Sequence, residues 1–159
     1  MPHDRVASVA RTPEGATPML LVSNRLPVSI VRRRGGPEFV PSAGGLAVGL
    51  EAFYREHDAR WVGWPGEISH KDRARVARRL RTSFNCEPVF LPEHVARRYY
   101  AGFSNRTLWP LFHSFPTYAR YDAQEWEAYC RANQLFAAAV ESVAKRDEAI
   151  WIHDYHLLM

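Results

Sequence analysis

Four short segments combine side chains that could hold a charged, hydroxylated ligand: Ser23-Asn-Arg25, Ser42-Ala-Gly-Gly45, Trp61-Val-Gly-Trp-Pro-Gly66 and His153-Asp-Tyr-His156. Arg25 can fork onto two phosphate oxygens, because a guanidinium matches that geometry. Taken alone, a surface salt bridge is the plainer reading of the same residue. Gly44-Gly45 before an apolar stretch could bring backbone N–H groups against a diphosphate at a helix N-terminus. Its spacing matches neither G-x-G-x-x-G nor a P-loop, so the pattern alone favours an ordinary turn. His153-Asp-Tyr-His156 sets imidazole beside carboxylate, which suits metal binding or acid–base work. Side chains along a strand end alternate between faces, so the two imidazoles need not converge. Asp154 gripping sugar hydroxyls is the physically easier reading.

A fifth stretch, Tyr99-Tyr-Ala-Gly-Phe-Ser-Asn-Arg106 with Leu108-Trp-Pro-Leu-Phe-His113, is dense in aromatic residues with polar tips. Ring faces suit sugar C–H groups, and phenols and indoles add hydrogen bonds. For Phe103, Leu111 and Phe112, packing into the core is the preferred reading. Arg32-Arg-Arg34, Arg78-Arg79 and Arg97-Arg98 could form a nucleic-acid stripe, but solvated helix and hairpin faces account for them better.

These segments need elements to position them. Met19-Leu-Leu-Val22 is a continuous apolar run of the kind found in a strand buried on both faces, and Arg25 falls where it should end. Apolar runs flanking Gly35-Gly36 predict a hairpin over 29–41. A helix capped by Ser42 is expected over 44–57, then a second core strand at 60–63 stopped by Pro65-Gly66. Ser69 and Asp72 open a helix to 80, and 86–91 reads as a strand that Pro88 places near an edge or a strand start. Pro92 permits a helix immediately afterwards. Asp122 and Glu125 have capping-box spacing ahead of a long amphipathic helix whose repeated positions are Trp126, Tyr129, Cys130, Asn133, Ala137, Val140 and Ala144. Ala149-Ile-Trp-Ile152 reads as a further buried strand. The alternation predicts an α/β fold with a mostly parallel sheet, flanking helices and a hairpin near the N-terminus, where ligands gather at the carboxyl ends of strands.

The whole has 159 residues, 47% of them hydrophobic and 24% charged, which suits one folded domain over 19–159 behind a loose tail over 1–18. The formal charge of +4 comes from arginine, since Lys71 and Lys145 are the only lysines. A basic balance favours phosphate-bearing partners without choosing among them. Cys86 and Cys130 make neither a disulfide framework nor a paired-thiol metal signature. With no long apolar span and no secretory layout at the start, the expectation is a cytoplasmic protein with no membrane partner.

Six motifs carry a resemblance in order: Leu21-Val-Ser-Asn-Arg-Leu-Pro-Val28, Ser42-Ala-Gly-Gly-Leu46, Trp61-Val-Gly-Trp64, Tyr99-Tyr100 with Gly102-Phe-Ser-Asn105, Leu108-Trp-Pro-Leu-Phe-His113 and Ile150-Trp-Ile-His-Asp-Tyr-His-Leu-Leu158. Together they resemble the N-terminal part of trehalose-6-phosphate synthases, glycosyltransferase family 20, from Leu20 to Met159. The resemblance implies an incomplete Rossmann-like N-terminal domain of a GT-B enzyme, without the C-terminal nucleotide-sugar domain. It implies retaining transfer of glucose from a nucleotide-glucose, UDP-glucose being the expected donor, to glucose 6-phosphate, with no cofactor and no metal. Arg25 and Tyr100 resemble ligands of the acceptor phosphate, Trp109 and Asp154 contacts to its glucose. Gly45 resembles the backbone position nearest the donor diphosphate, and Trp64 lines the same cleft. The cationic and acidic catalytic groups of the family lie outside the resembling segment, so the chain alone is expected to be inactive. A complete enzyme could be a homo-oligomer, and no nucleic-acid partner is implied. A noncatalytic sugar-phosphate binder or regulatory fragment is the alternative.

Overall fold

The computed structural model describes residues 18–34, 36–42 and 59–159. The expected helix over 44–57, Gly45 and all but residue 18 of the expected tail lie outside them. Four strands form one parallel sheet: β1 (Met19–Arg25), β4 (Arg60–Trp64), β5 (Cys86–Pro88) and β6 (Ala149–Ile152), in the spatial order β5-β4-β1-β6. β2 (Val28–Arg33) and β3 (Gly36–Pro41) make the expected antiparallel hairpin, with Val28 opposite Pro41 and Arg33 opposite Gly36.

Period-two alternation sends the sheet's side chains into two cores. Leu20 and Val22 of β1 and Val62 and Trp64 of β4 face one side, where Tyr99, Tyr129, Ala132 and Phe136 cover them. Leu21 and Trp61 face the other, against Val76 and Leu80 and the base of the hairpin. Burial on both faces explains why β1 and β4 read as unbroken apolar runs. The helix under the second face is α1 (His70–Phe84), which runs four residues past the expected end. It stops at Asn85, whose left-handed backbone (φ 50°) lets its N–H bond the Leu80 carbonyl. β5 ends at Pro88, short of the expected 91, and Pro88 does sit on an edge strand.

The first face is covered by a helical segment and a long helix. The segment begins with α2 (Glu93–Ala96), continues as wide-wound turns over Arg97–Leu108 and ends in α3 (Trp109–Phe112). It kinks at Gly102, where ψ is −109° and an added Cβ would lie 2.8 Å from Glu125 Cδ. The long helix is α4 (Ala123–Val143), capped by the Asp122 carboxylate, which accepts from the N–H groups of Gln124 and Glu125. Glu125 does not complete the box; its carboxylate pairs with Arg106 at 2.7 Å and ties α4 to the kinked segment. The buried stripe of α4 is Glu125, Ala128, Tyr129, Ala132, Asn133 and Phe136. This corrects the expected face in part: Tyr129 and Asn133 are buried as expected, but Trp126, Ala137 and Ala144 are exposed, and Glu125, Ala128, Ala132 and Phe136 are buried instead.

β6 is also corrected. It is an edge strand, not a buried one, and Ile150 and Ile152 are 45% and 55% exposed. Among the described residues no strand pairs on its outer side. At its base, Arg60 and Glu148 form a two-pronged ion pair, 2.6 and 3.2 Å, that clips β4 to β6 across β1. No described helix is long and apolar enough to cross a membrane.

At the opposite end, β1 slips register against β4: Ser23 pairs with Gly63, but Arg25 pairs with Trp64. The extra residue turns the strand end. The Ser23 hydroxyl holds the slip, donating to the Arg25 carbonyl (2.7 Å) and accepting from the Trp61 indole N–H (2.8 Å). Gly63 makes room, since a Cβ there would sit 3.0 Å from the Leu26 nitrogen and 3.1 Å from the Arg25 carbonyl carbon. Leu26 Cδ2 would lie at 2.9 Å, so Gly63→Ala must shift both the Leu26 side chain and the adjoining backbone, and should destabilise the chain by about 1–3 kcal/mol in urea titration. An unchanged midpoint and slope would show that the strand end is not fixed by this contact.

Candidate functional site

Strand order reverses at β1. The chain runs outward through β4 and β5, then returns to place β6 on the other side of β1. The carboxyl ends of β1 and β6 therefore flank a switch point, where α/β sheets open a crevice for ligands. Arg25 ends β1, and Asp154 follows β6.

The guanidinium of Arg25 lies 4.0 Å from the Trp64 ring centre and 5.7 Å from that of Tyr100. Cations favour aromatic faces, so the two rings fix an otherwise flexible side chain. Among the described residues, no carboxylate forms an ion pair with it. Burial pulls its pKa below the ordinary arginine value, with the neighbouring tyrosines and Glu67 opposing. Trp64 is itself buried, so it serves as the platform under Arg25 more than as an open wall.

From Tyr100 the contacts continue. Its ring stacks on His156 (5.5 Å, 23°), and His156 Nδ1 lies 3.2 Å from Asp154 Oδ2. Asp154 adopts φ 76° and ψ 161°, a region that residues with a Cβ rarely enter and that costs about 1–3 kcal/mol. Its other oxygen, Oδ1, accepts from the Tyr155 N–H at 2.7 Å. Both interactions aim the carboxylate. It lines, with Trp109, Phe112 and Tyr155, a hollow of ≈ 910 Å³. Trp109 stacks on His113 (4.3 Å, 19°), whose Nδ1 lies 2.8 Å from the Trp109 carbonyl oxygen.

The four residues expected to meet the acceptor thus fall into two linked pairs. Trp109 and Asp154 share the hollow; Arg25 and Tyr100 stand beside each other and join it through His156. The kink at Gly102 falls between Tyr100 and Trp109 and changes the direction of the segment that carries both. Leu111 and Phe112, expected in the core, are instead 39% and 61% exposed, and Phe112 faces Tyr155 across the hollow. Helical spacing alone does not reveal that a segment lines a crevice on that side. Among the described residues no group of three or more His, Cys, Asp or Glu side chains could hold a metal.

The sequence offered His156 only as half of a candidate metal or acid–base pair and Tyr99 only within an aromatic stretch, and neither was placed among the acceptor contacts. Tyr99 is fully buried between the two pairs, and burial pushes its phenol far above the ordinary range. His156 is 8% exposed, and burial holds its imidazole below the usual 6.5, with Asp154 pulling the other way. The signal for both was adjacency to the recognised residues within Tyr99-Tyr100 and His153-Asp-Tyr-His156.

A model of glycosyltransferase family 20 matches residues 17–159. The UDP-forming alpha,alpha-trehalose-phosphate synthase of Yarrowia lipolytica is 45% identical over 143 residues, which cover 89% of this chain and 30% of that relative. Among solved structures, an alpha,alpha-trehalose-phosphate synthase (UDP-forming) from Burkholderia vietnamiensis superimposes with a TM-score of 0.66 at 36% identity, over 89% of this chain and 28% of that one. The corresponding protein of Burkholderia xenovorans, solved in complex with glucose-6-phosphate, gives a TM-score of 0.60 at 30% identity, over 87% and 28%. The chain thus spans about 30% of the length of the curated relatives it matches. Its parallel sheet and helices are part of a GT-B fold.

The depressed His156 imidazole makes stability depend on pH. Above about 6.5 the group is neutral folded or unfolded and contributes nothing; below it the unfolded chain takes up a proton that the folded chain resists. Unfolding free energy should therefore fall as pH drops below 6.5, and His156→Asn should flatten that slope in urea titrations. Equal slopes in both proteins would contradict a buried, proton-resisting His156.

Proposed function

This chain belongs to glycosyltransferase family 20, and we propose that it forms the acceptor side of a UDP-forming trehalose-phosphate synthase, holding glucose 6-phosphate for attack on a nucleotide-glucose. The reaction transfers glucose from UDP-glucose to the C1 oxygen of glucose 6-phosphate with retention at the donor carbon, giving alpha,alpha-trehalose 6-phosphate and UDP. One observation carries the acceptor assignment. Arg25, with no described carboxylate in ion-pair contact, lies over the Trp64 and Tyr100 rings at the switch point, and Tyr100 is joined through His156 to the strained Asp154.

In this reading Arg25 and the Tyr100 hydroxyl take the phosphate, since a fixed guanidinium meets two of its oxygens without losing rotamer freedom on binding. Asp154 accepts from sugar hydroxyls, and the exposed face of Trp109 supports the ring C–H groups. Gly45, outside the described residues, would approach the donor diphosphate. The relatives' printed names supply the product UDP, and one of them was solved with glucose-6-phosphate. The chain contributes binding and orientation of the acceptor. Charge stabilisation of the leaving UDP is left to a complete enzyme of the relatives' length.

Calorimetric titration of this chain with glucose 6-phosphate, glucose and inorganic phosphate tests the assignment. Glucose 6-phosphate should bind more tightly than either half, and Arg25→Ala should weaken it roughly a hundredfold, the loss of two charge-assisted hydrogen bonds. Arg25→Lys keeps the charge without the fork and should fall between them. Equal affinity of wild type and Arg25→Ala would remove the phosphate role.

A further inference from the structure

Resting on that reading of the site, we infer that His156 is a positioning residue: its Nδ1–H donates to the Asp154 carboxylate while its ring rests on Tyr100, fixing the sugar-gripping arm of the pocket relative to the phosphate-gripping arm. Nδ1 lies 3.2 Å from Oδ2 of Asp154. The imidazole is stacked between Tyr100, at 5.5 Å and 23°, and Tyr155, at 4.4 Å and 25°, with Tyr99 edge-on at 6.4 Å. Nε2 is buried and, among the described residues, has no hydrogen-bond partner.

Those contacts select one form of the ring. A proton on Nε2 would bury an N–H with no acceptor and turn the Nδ1 lone pair toward a carboxylate. A proton on Nδ1 instead satisfies the carboxylate and leaves only a bare ring nitrogen among aromatic faces. Neutral imidazole with Nδ1–H is therefore the form that fits.

The ring's own place is set by α4. Tyr129 donates its hydroxyl to the Tyr155 carbonyl at 2.8 Å and accepts from the Leu158 N–H at 3.1 Å. The Asn133 side-chain amide donates to the His156 carbonyl at 3.3 Å. The short turn Tyr155–Leu157 is thereby clamped to the buried face of a long helix, and His156 transmits that fixed position to Asp154. Asp154 needs such support: its backbone is strained at φ 76°, and it carries one oxygen on the Tyr155 N–H and the other opposite His156. With both oxygens restrained from one side, their remaining lone pairs are presented to the hollow that Trp109 shares.

The test has two parts. In long-range nitrogen–proton NMR spectra of the labelled chain at about pH 7.5, His156 should show a protonated Nδ1 and a bare Nε2, the less common neutral form. In titrations, His156→Phe keeps a ring on Tyr100 but loses the donor. It should weaken glucose 6-phosphate by about tenfold and leave inorganic phosphate binding, followed by phosphorus NMR, unchanged. His156→Asn puts an amide nitrogen near the Nδ1 position and should bind glucose 6-phosphate within about threefold of wild type. A protonated Nε2, a Phe variant that binds glucose 6-phosphate like wild type, or equal loss of both ligands would overturn the inference. Wild-type chain that binds neither ligand would instead remove the acceptor reading, and the NMR form of His156 would still decide whether it holds Asp154.

Discussion

One hydroxyl decides where the cation of this site stands. Ser23 Oγ receives the Trp61 indole N–H and donates to the Arg25 carbonyl, closing the register slip at the end of β1. Without the slip, Arg25 would pair in step with β4 and leave the sheet in another direction. With it, the guanidinium comes over Trp64, and the two strands meet closely because position 63 is glycine. Every part of the acceptor reading follows from that placement.

The rest of the fold holds two pairs of side chains at one end of a sheet. Two cores immobilise β1 and β4, and the Arg60 to Glu148 pair fastens the far end of β6. The carboxyl ends can then carry groups that oppose stability: a partly desolvated cation, a carboxylate on strained backbone, and an imidazole whose buried Nε2 has no partner among the described residues. Such groups persist only where the surroundings over-determine them. The Glu125 to Arg106 pair, with Glu125 buried and Arg106 exposed, has a similar function on the helical side, where Glu125 packs against the kink that separates Tyr100 from Trp109.

Much of this was legible in the sequence, for physical reasons. Runs buried on both faces must be apolar throughout, so β1 and β4 announced themselves, and Asp122 marked the start of α4 through its capping chemistry. The strand ends that carry Arg25 and Asp154 followed from the strands. Other features depend on neighbours that no local window contains. Ile150 and Ile152 look like core residues, but whether an apolar strand is central or at an edge depends on sheet order. The buried face of α4 includes the small Ala128 and Ala132, which a repeat read from the large residues does not single out. The left-handed Asp154, the Gly102 kink and the stacking of His156 on Tyr100 arise from tertiary packing. The motif resemblance reached Arg25, Tyr100, Trp109 and Asp154; the structure adds how they are joined.

The central claim is that these four side chains surround one phosphorylated hexose. A crystal structure of the chain grown with glucose 6-phosphate tests it most directly. The phosphate should lie about 3 Å from the Arg25 guanidinium, with the sugar ring against Trp109 and its hydroxyls on Asp154. Ligand density elsewhere on the molecule, with Arg25 still empty between its two rings, would contradict it.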